Sequence, residues 1–380
     1  MLMILEHPLG KWVKGGNMRK FKGKKLVKRV ITGIGIILAI CILAVIGLII
    51  YLTVTEYKPK DTLALEVEGE SSKQMAKGDS FTIMSWNVGY GDLGNYADFF
   101  MDGGSNVQSS SKEQLMNNVQ GLINEITTIQ PDILFLQEVD INSKRSYKLN
   151  EQQTIMEGIT GYNSSFAANF RVAYVPYPLP TIGKVDSGIT TFSKYEVSEA
   201  KRVALPCPFS YPVRLANLKR CLLVSRIPVK GSDNELVLVN LHLEAFDDGE
   251  GKAAQTEELR KFLQQEVNAG NYVIAGGDFN QAFSNVDTSM YPLTSNEVWQ
   301  PGKLDVNEFE DSLQFVMDNQ VPTCRSMDKP LLGNDAETFQ YYMIDGFIVS
   351  SNLQIDNMTT MNLAFEHTDH NPIVMKVTLK

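Results

Sequence analysis

Residues 30–55 contain no charged side chain. A helix needs about 20 consecutive apolar residues to cross a bilayer core, and this run exceeds that. Basic residues crowd its N-terminal flank, which does not suit the core helix of a soluble protein. A cleaved signal peptide has a shorter apolar stretch and a small-x-small site after it, and neither is present. The run therefore reads as an uncleaved transmembrane signal anchor. Arg19, Lys20, Lys22, Lys24, Lys25, Lys28 and Arg29 precede it. Such a cluster stays cytoplasmic, so the expected location is the cell membrane, single-pass, with everything after Tyr57 extracytoplasmic.

This divides the chain into a basic segment (1–29), the anchor (30–55), a polar stalk (56–79, with one short strand at 63–67) and a catalytic-size domain (80–380). Residues 1–17 fit neither a targeting segment nor a domain. Lys14-Gly15-Gly16-Asn17 before Met18 can be encoded by a purine-rich stretch like a bacterial ribosome-binding site. The expectation is that translation starts at Met18; native N-terminal peptides from residues 1–17 would contradict it.

The net charge of −9 hides an asymmetry. Nine Lys and Arg lie before the anchor against Glu6 alone, which leaves 26 Lys+Arg against 43 Asp+Glu beyond it. That remainder repels polyanions unless cations intervene, so nucleic acid is not the favoured partner. Four cysteines are too few for a disulfide framework. Cys207 and Cys221 flank a Pro-rich stretch and would bridge only if oxidised; buried free thiols are the plainer reading. No Cys/His spacing suits zinc.

Beyond the stalk, strands and helices interleave. Strands are expected at 81–86, 133–136, 188–192, 221–227, 236–243, 272–275, 346–349 and 372–379. Helices are expected at 112–129, 151–159 and 253–267. Residues 281–340 read as an irregular insertion of the kind that shapes a binding site. The class is α/β or mixed α+β.

Polar residues recur at the ends of apolar runs: Asn87, Glu138, His242, Asp278, Asn280, Asp345, Asp369 and His370. Taken singly, a Glu after a strand is usually a surface charge and a His usually a satisfied core imidazole. As a set they are the parts that metal-assisted hydrolysis of a phosphate ester needs. A carboxylate or imidazole activates water, amides orient the phosphate, and further carboxylates hold a hard cation.

The motifs Ser85-Trp86-Asn87, Gln137-Glu138-Val139-Asp140, Asn240-Leu241-His242-Leu243, Gly276-Gly277-Asp278-Phe279-Asn280, Ile344-Asp345-Gly346 and Thr368-Asp369-His370-Asn371-Pro372 occur in this order over residues 81–380. In them the chain resembles the endonuclease/exonuclease/phosphatase superfamily, which includes deoxyribonuclease I, exonuclease III-type nucleases and bacterial neutral sphingomyelinases. The resemblance implies a four-layer sandwich, two mixed β-sheets face to face with helices outside. It implies Glu138 as principal ligand of Mg²⁺ (or Mn²⁺ or Ca²⁺), with Asn87 beside it on the phosphate. It implies Asp278 as the group acting on the attacking water, with Asn280 holding it. His242 and His370 would stabilise the pentacoordinate phosphorus, Asp345 would fix the His370 tautomer, and Asp369 would orient the site or hold a second cation. Whether Asp278 or His370 is the base stays open. Thr368 stands where the family pattern has Ser, and His367 reads as a surface residue. The middle segment, 169–189, fits the pattern loosely; Arg171 within it and Arg145 before it are candidate phosphate contacts, though exposed arginines usually only solvate a surface.

Three functions follow as expectations. The first is a membrane-anchored phosphodiesterase acting on a phospholipid headgroup or small phosphodiester. The second is a surface nuclease acting on DNA or RNA. The third, disfavoured by the intact motif residues, is an inactive binding module. No segment calls for an obligate protein partner.

Overall fold

The computed structural model describes residues 19–247, 249–295 and 298–380. The proposed start at Met18 lies outside them. Two compact units are present, one ending at Val54 and the other Thr55–Lys380.

The first unit holds one helix, α1 (Arg19–Val54). Its Leu, Ile and Val side chains from Leu26 onward stand largely exposed, and Gly23–Val54 is long and apolar enough to cross a membrane. A membrane anchor and a signal sequence share these properties.

The second unit contains, in chain order, β1 (Thr62–Ala64), β2 (Met75–Ala76), β3 (Ser80–Asn87), α2 (Lys112–Ile129), β4 (Ile133–Asp140), α3 (Glu151–Gly158), β5 (Asn163–Val175), β6 (Gly183–Ser193), β7 (Glu199–Ala204), β8 (Cys221–Lys230), β9 (Glu235–His242), α4 (Glu250–Asn268), β10 (Tyr272–Asp278), β11 (Gln281–Phe283), β12 (Gly302–Leu304), β13 (Leu313–Val316), β14 (Cys324–Arg325), β15 (Tyr341–Tyr342), β16 (Asp345–Ser350), β17 (Leu353–Thr360) and β18 (Ile373–Leu379). One sheet runs β1-β7-β8-β9-β10-β16-β13, with β2 beside β8; the other runs β17-β18-β3-β4-β6-β5. Both mix parallel and antiparallel pairs.

Alternation along the strands builds the layers. Phe81 and Ile83 of β3, Ile133 and Phe135 of β4, Leu236 and Leu238 of β9 and Ile274 of β10 meet in one core between the sheets. The next residues over, Met84, Trp86, Leu134 and Leu136, pack instead with Leu115, Val119 and Ile126 of α2. Val237, Val239, Val273 and Ala275 join Leu259 and Leu263 of α4. The four-layer sandwich is thus a consequence of strands apolar on both faces.

Two helix ends follow their sequence signals. Ser111 caps α2, accepting from the Gln114 amide at 3.0 Å. Gln130 (φ 52°) closes it in the left-handed region just before Pro131. The insertion 281–340 is not wholly irregular; it carries β11 to β14. Cys207 is exposed, Cys221 is buried, and both are free.

Candidate active site

The sheet registers bring the polar strand ends together. Asp278, the last residue of β10, pairs with His242 in parallel β9 and with Asp345 in antiparallel β16. On the other sheet Asn87 ends β3 opposite Gln137, so Glu138 lies just beyond. The β4/β6 register shifts between Leu136 and Val139, and Glu138 there takes φ 56°. Asn280 also has positive φ, 52°. Non-glycine residues in that region cost about 1–3 kcal/mol and mark places where the surroundings dictate side-chain direction. The polar change continues between the sheets. Buried Gln137 donates to Asn240 Oδ1 at 2.8 Å, and Asn240 donates to the carbonyls of Leu136 and Thr190.

Asp278 is the hub. Its Oδ2 accepts from Asn87 Nδ2 at 3.1 Å and lies 3.4 Å from His242 Nε2 and 3.7 Å from His370 Nε2. Its Oδ1 accepts from the Asn280 amide at 2.9 Å. Asn87 also donates to Glu138 Oε1 at 3.2 Å. Asp345 Oδ2 sits 2.9 Å from His370 Nδ1. The Asn280 side chain donates to Leu243 O, and Trp86 Nε1 donates to His370 O, each at 2.9 Å. Asp278 can approach His242 this closely because residue 277 is glycine. At φ 144°, a Cβ there would lie 2.0 Å from Leu241 O.

Burial and the Asp345 carboxylate push Asp278 up to about 7, against the pull of His370. Burial, with Arg220 and His370 near, holds His242 well below the imidazole range, so it is neutral and keeps one N–H to donate. Burial also opposes charge on His370, but Cys324 and Asp345 outweigh it and raise His370 well above that range. Burial, and more weakly Asp369, raises Glu138 against the influence of Arg145. The arrangement places a proton acceptor with a pKa near neutrality between a neutral imidazole and a charged one. That is chemistry suited to activating water and stabilising an anion.

A cavity of about 370 Å³ opens over this cluster. Glu138, His242, Asp278, Asn280, Asp369 and His370 line it. Asn87 is buried beneath, bonded to two of them. Asp345 supports His370 from behind. Arg171 is not brought to the cavity: it pairs with Asp186 at 2.7 Å and faces the Tyr57 ring at 5.1 Å. Arg145 does line the cavity, but Asp140 occupies its fork at 2.9–3.0 Å and Tyr90 stacks under it. Thr368 keeps the hydroxyl expected of it, donating to Asn87 O at 3.0 Å. His367 is half-buried against Gly121 rather than free on the surface.

Arg220, Glu244, Trp299 and Cys324 also line the cavity and were not singled out from sequence. Glu244 alone had a signal, two residues beyond His242; the others come from segments without a motif. Arg220 Nε lies 3.6 Å from Glu244 Oε2, and its Nη1 donates to His242 O at 3.3 Å.

The donor set fits a hard divalent cation. Glu138 offers a carboxylate to the cavity whose hydrogen-bond partner among the described residues is Asn87. Asp369, half-buried nearby, offers a second. Two further groups bring three ligating atoms within 4.8 Å of one another: Asp278, Asp345 and His370, and Cys324, Asp369 and His370. The first is already knit by its own hydrogen bonding.

No curated protein matches the chain. Among solved structures it is similar to an endonuclease/exonuclease/phosphatase from Beutenbergia cavernae DSM 12333, with 16% identity over 79% of this chain and 72% of that one and a TM-score of 0.53. The human Nocturnin catalytic domain with bound sulfate gives 18% identity, 79% and 94% coverage and a TM-score of 0.48. D. rerio TDP2 complexed with single strand DNA product gives 16%, 79% and 99%, and 0.49. The first of these, at 16% identity, speaks to fold alone. The model of the Endonuclease/Exonuclease/phosphatase family matches residues 84–299, more than half the chain. That match agrees with the two mixed sheets and their flanking helices, and the chain belongs to this family.

Proposed function

We propose that this protein is a divalent-cation-dependent phosphoric ester hydrolase of the phosphodiesterase type. The family it belongs to comprises hydrolases of phosphate esters, generally dependent on a divalent metal. One observation carries the reading: a buried carboxylate with a pKa near 7, within 3.1–3.7 Å of an amide and two imidazoles drawn from both sheets.

Glu138, with Asn87 beside it and Asp369 across the cavity, would hold the cation, Mg²⁺ or its like. When bound, it neutralises charge on a phosphate oxygen. Asp278 orients water and takes its proton. Asn280 holds Asp278 through its amide and fixes the loop through Leu243 O. Neutral His242 donates to a non-bridging oxygen. His370, kept charged and in one orientation by Asp345, supplies a second donor as negative charge grows.

The cavity wall favours an ester with an apolar substituent. Met101, Tyr177, Val213 and Phe246 line it while remaining 41–55% exposed, and Leu179, near Tyr177 in sequence, is 88% exposed. A cluster of exposed apolar groups around a polar site suits a lipid phosphodiester better than a polyanion. The acidic balance beyond the anchor supports the same preference. With α1 as a membrane anchor, the catalytic unit would act on the extracytoplasmic side, on headgroups of the same or a facing membrane.

The test uses the full chain in detergent with Mg²⁺, offered mixed micelles of phospholipids, sphingomyelin, plasmid DNA and RNA. Chelator-sensitive release of phosphorylated headgroup is expected. Hydrolysis of nucleic acid alone would transfer the reading to a surface nuclease, and chelator-resistant turnover would remove the metal from it.

A further inference from the structure

The cavity floor carries a group that the proposed hydrolysis does not use, the thiol of Cys324. Cys324 begins the short strand β14, forms an isolated antiparallel bridge with His370 and is 6% exposed while lining the cavity. The Asn371 amide donates to Thr323 O at 2.8 Å and the Arg325 amide to Asp369 O at 3.1 Å. The two segments are thus clamped backbone to backbone on either side of the thiol. Its Sγ, an Asp369 carboxylate oxygen and a His370 ring nitrogen all lie within 4.8 Å of one another.

The three atoms differ in how far they are committed. His370 Nδ1 is held by Asp345, which leaves Nε2, 3.7 Å from Asp278 Oδ2, as the nitrogen that can ligate once its proton is displaced. Asp369 Oδ1 lies 3.1 Å from the Thr368 hydroxyl, which it shares with Asn87 O, and Oδ2 is left. The thiol makes a long contact to Arg325 O at 3.5 Å and also interacts with the His370 side chain. Sulfur, imidazole nitrogen and one carboxylate oxygen form a donor set of borderline softness. It suits Zn²⁺ or Cd²⁺ and does not suit Mg²⁺. Tetrahedral bonds of about 2.0–2.3 Å put ligand atoms roughly 3.3–3.6 Å apart, so closure needs shifts of about an ångström, within side-chain reach. Glu138 is outside this triad.

We propose that Cys324, Asp369 and His370 form a second metal site, selective for zinc-like ions and sharing Asp369 with the Mg²⁺ site proposed above, whose occupation shuts off hydrolysis. Binding replaces the S–H bond by an S–metal bond and the Nε2–H bond of the His370 imidazolium by an N–metal bond, releasing two protons to solvent. It also takes the His370 nitrogen that faces Asp278, and with it the donor needed as charge develops. Inhibition rests on the hydrolase reading above; binding does not, and the experiment separates the two.

Full-length protein in detergent is titrated with Cd²⁺ and followed by ultraviolet thiolate-to-metal charge transfer and by ¹¹³Cd NMR. One equivalent is expected to produce the charge-transfer band and a resonance characteristic of mixed sulfur, nitrogen and oxygen coordination. Cys324→Ser should abolish the band, whereas Cys207→Ser, at the exposed thiol, should retain it. Asp369→Asn should weaken binding by about tenfold or more while the band persists at saturation. In parallel, Zn²⁺ should inhibit Mg²⁺-supported turnover, and Cys324→Ser should need at least about tenfold more Zn²⁺ relative to its own uninhibited rate. A resonance typical of oxygen ligands alone in the unmodified protein would overturn the site without recourse to any variant. So would a band that survives Cys324→Ser. Cadmium binding as expected with no turnover on any substrate would leave the site standing and count against the hydrolase reading alone. Equal zinc sensitivity in Cys324→Ser would overturn the inhibitory role.

Discussion

Replacing Gly277 by alanine tests whether sheet register aligns the candidate catalytic cluster. The added Cβ would lie 2.0 Å from Leu241 O and 3.0 Å from Leu241 C, where ordinary contact begins near 3.4 Å. The strands must therefore part by more than 1 Å at the step before Asp278 meets His242. Residue 277 also has φ 144°, a conformation alanine rarely adopts. Backbone strain costs about 1–3 kcal/mol, and forcing an extra carbon into a packed interior about the same again, giving roughly 2–6 kcal/mol. For a unit as large as Thr55–Lys380, at about 2 °C per kcal/mol, melting should fall by roughly 4–12 °C. Misplacing a reacting group by about 1 Å costs on the order of 10²-fold in rate, so turnover should drop more than the loss of folded protein explains. Gly231→Ala is the control. Its φ is 79°, but no atom lies within 4 Å of the added carbon, so only the left-handed penalty of about 1–2 kcal/mol applies and the rate should hold. Calorimetry and initial rates are measured on both. If Gly277→Ala melts with Gly231→Ala and turns over like the parent, the register argument is wrong.

Asp345→Asn removes the anion 2.9 Å from His370 Nδ1, and turnover should fall by about 10²–10⁴ with the circular dichroism unchanged. Losing that anion also lowers the His370 pKa, so activity that needs the imidazolium should be lost at lower pH than in the parent; an alkaline limb that stays in place would contradict this. Glu138→Gln should weaken Mg²⁺ binding by calorimetry. In the parent, burial raises Glu138 above the ordinary glutamate range, so protons compete with the cation, and affinity should fall about tenfold per pH unit once pH drops below that raised value. Affinity that stays constant on acidification through the ordinary glutamate range would argue against Glu138 as ligand. Asn240→Leu removes one of the two acceptors of Gln137 Nε2, which keeps Ser85 Oγ, and the side-chain donor to the carbonyls of Leu136 and Thr190; the unit should lose on the order of 3 kcal/mol in chemical denaturation, and a neutral effect would place that network outside the fold's support.

Much of the scaffold was legible in advance because periodicity is local. Helix α2 lies at 112–129, where its apolar spacing put it, and the strands leading into Asn87, Glu138, His242 and Asp278 are continuous apolar runs. Strands β5, β7 and β17 were missed. Asn163-Ser164-Ser165 opens β5 and Asp356-Asn357 interrupts β17, residue types that favour turns. Their extended form is set by partner strands far along the chain.

The sequence by itself determined the apolar helix before the second unit, the identity of the polar residues at strand ends and the order in which they come, because each depends on side chains a few positions apart. Tertiary structure alone decided which of them meet. Asp278 faces His242 and Asp345 only through the β9–β10–β16 register, and Arg171 goes to Asp186 while Arg220 and Cys324 reach the cavity. Contacts between residues tens to hundreds of positions apart are fixed by how the two sheets pack and where glycine lets backbones approach, and no local pattern encodes that distance.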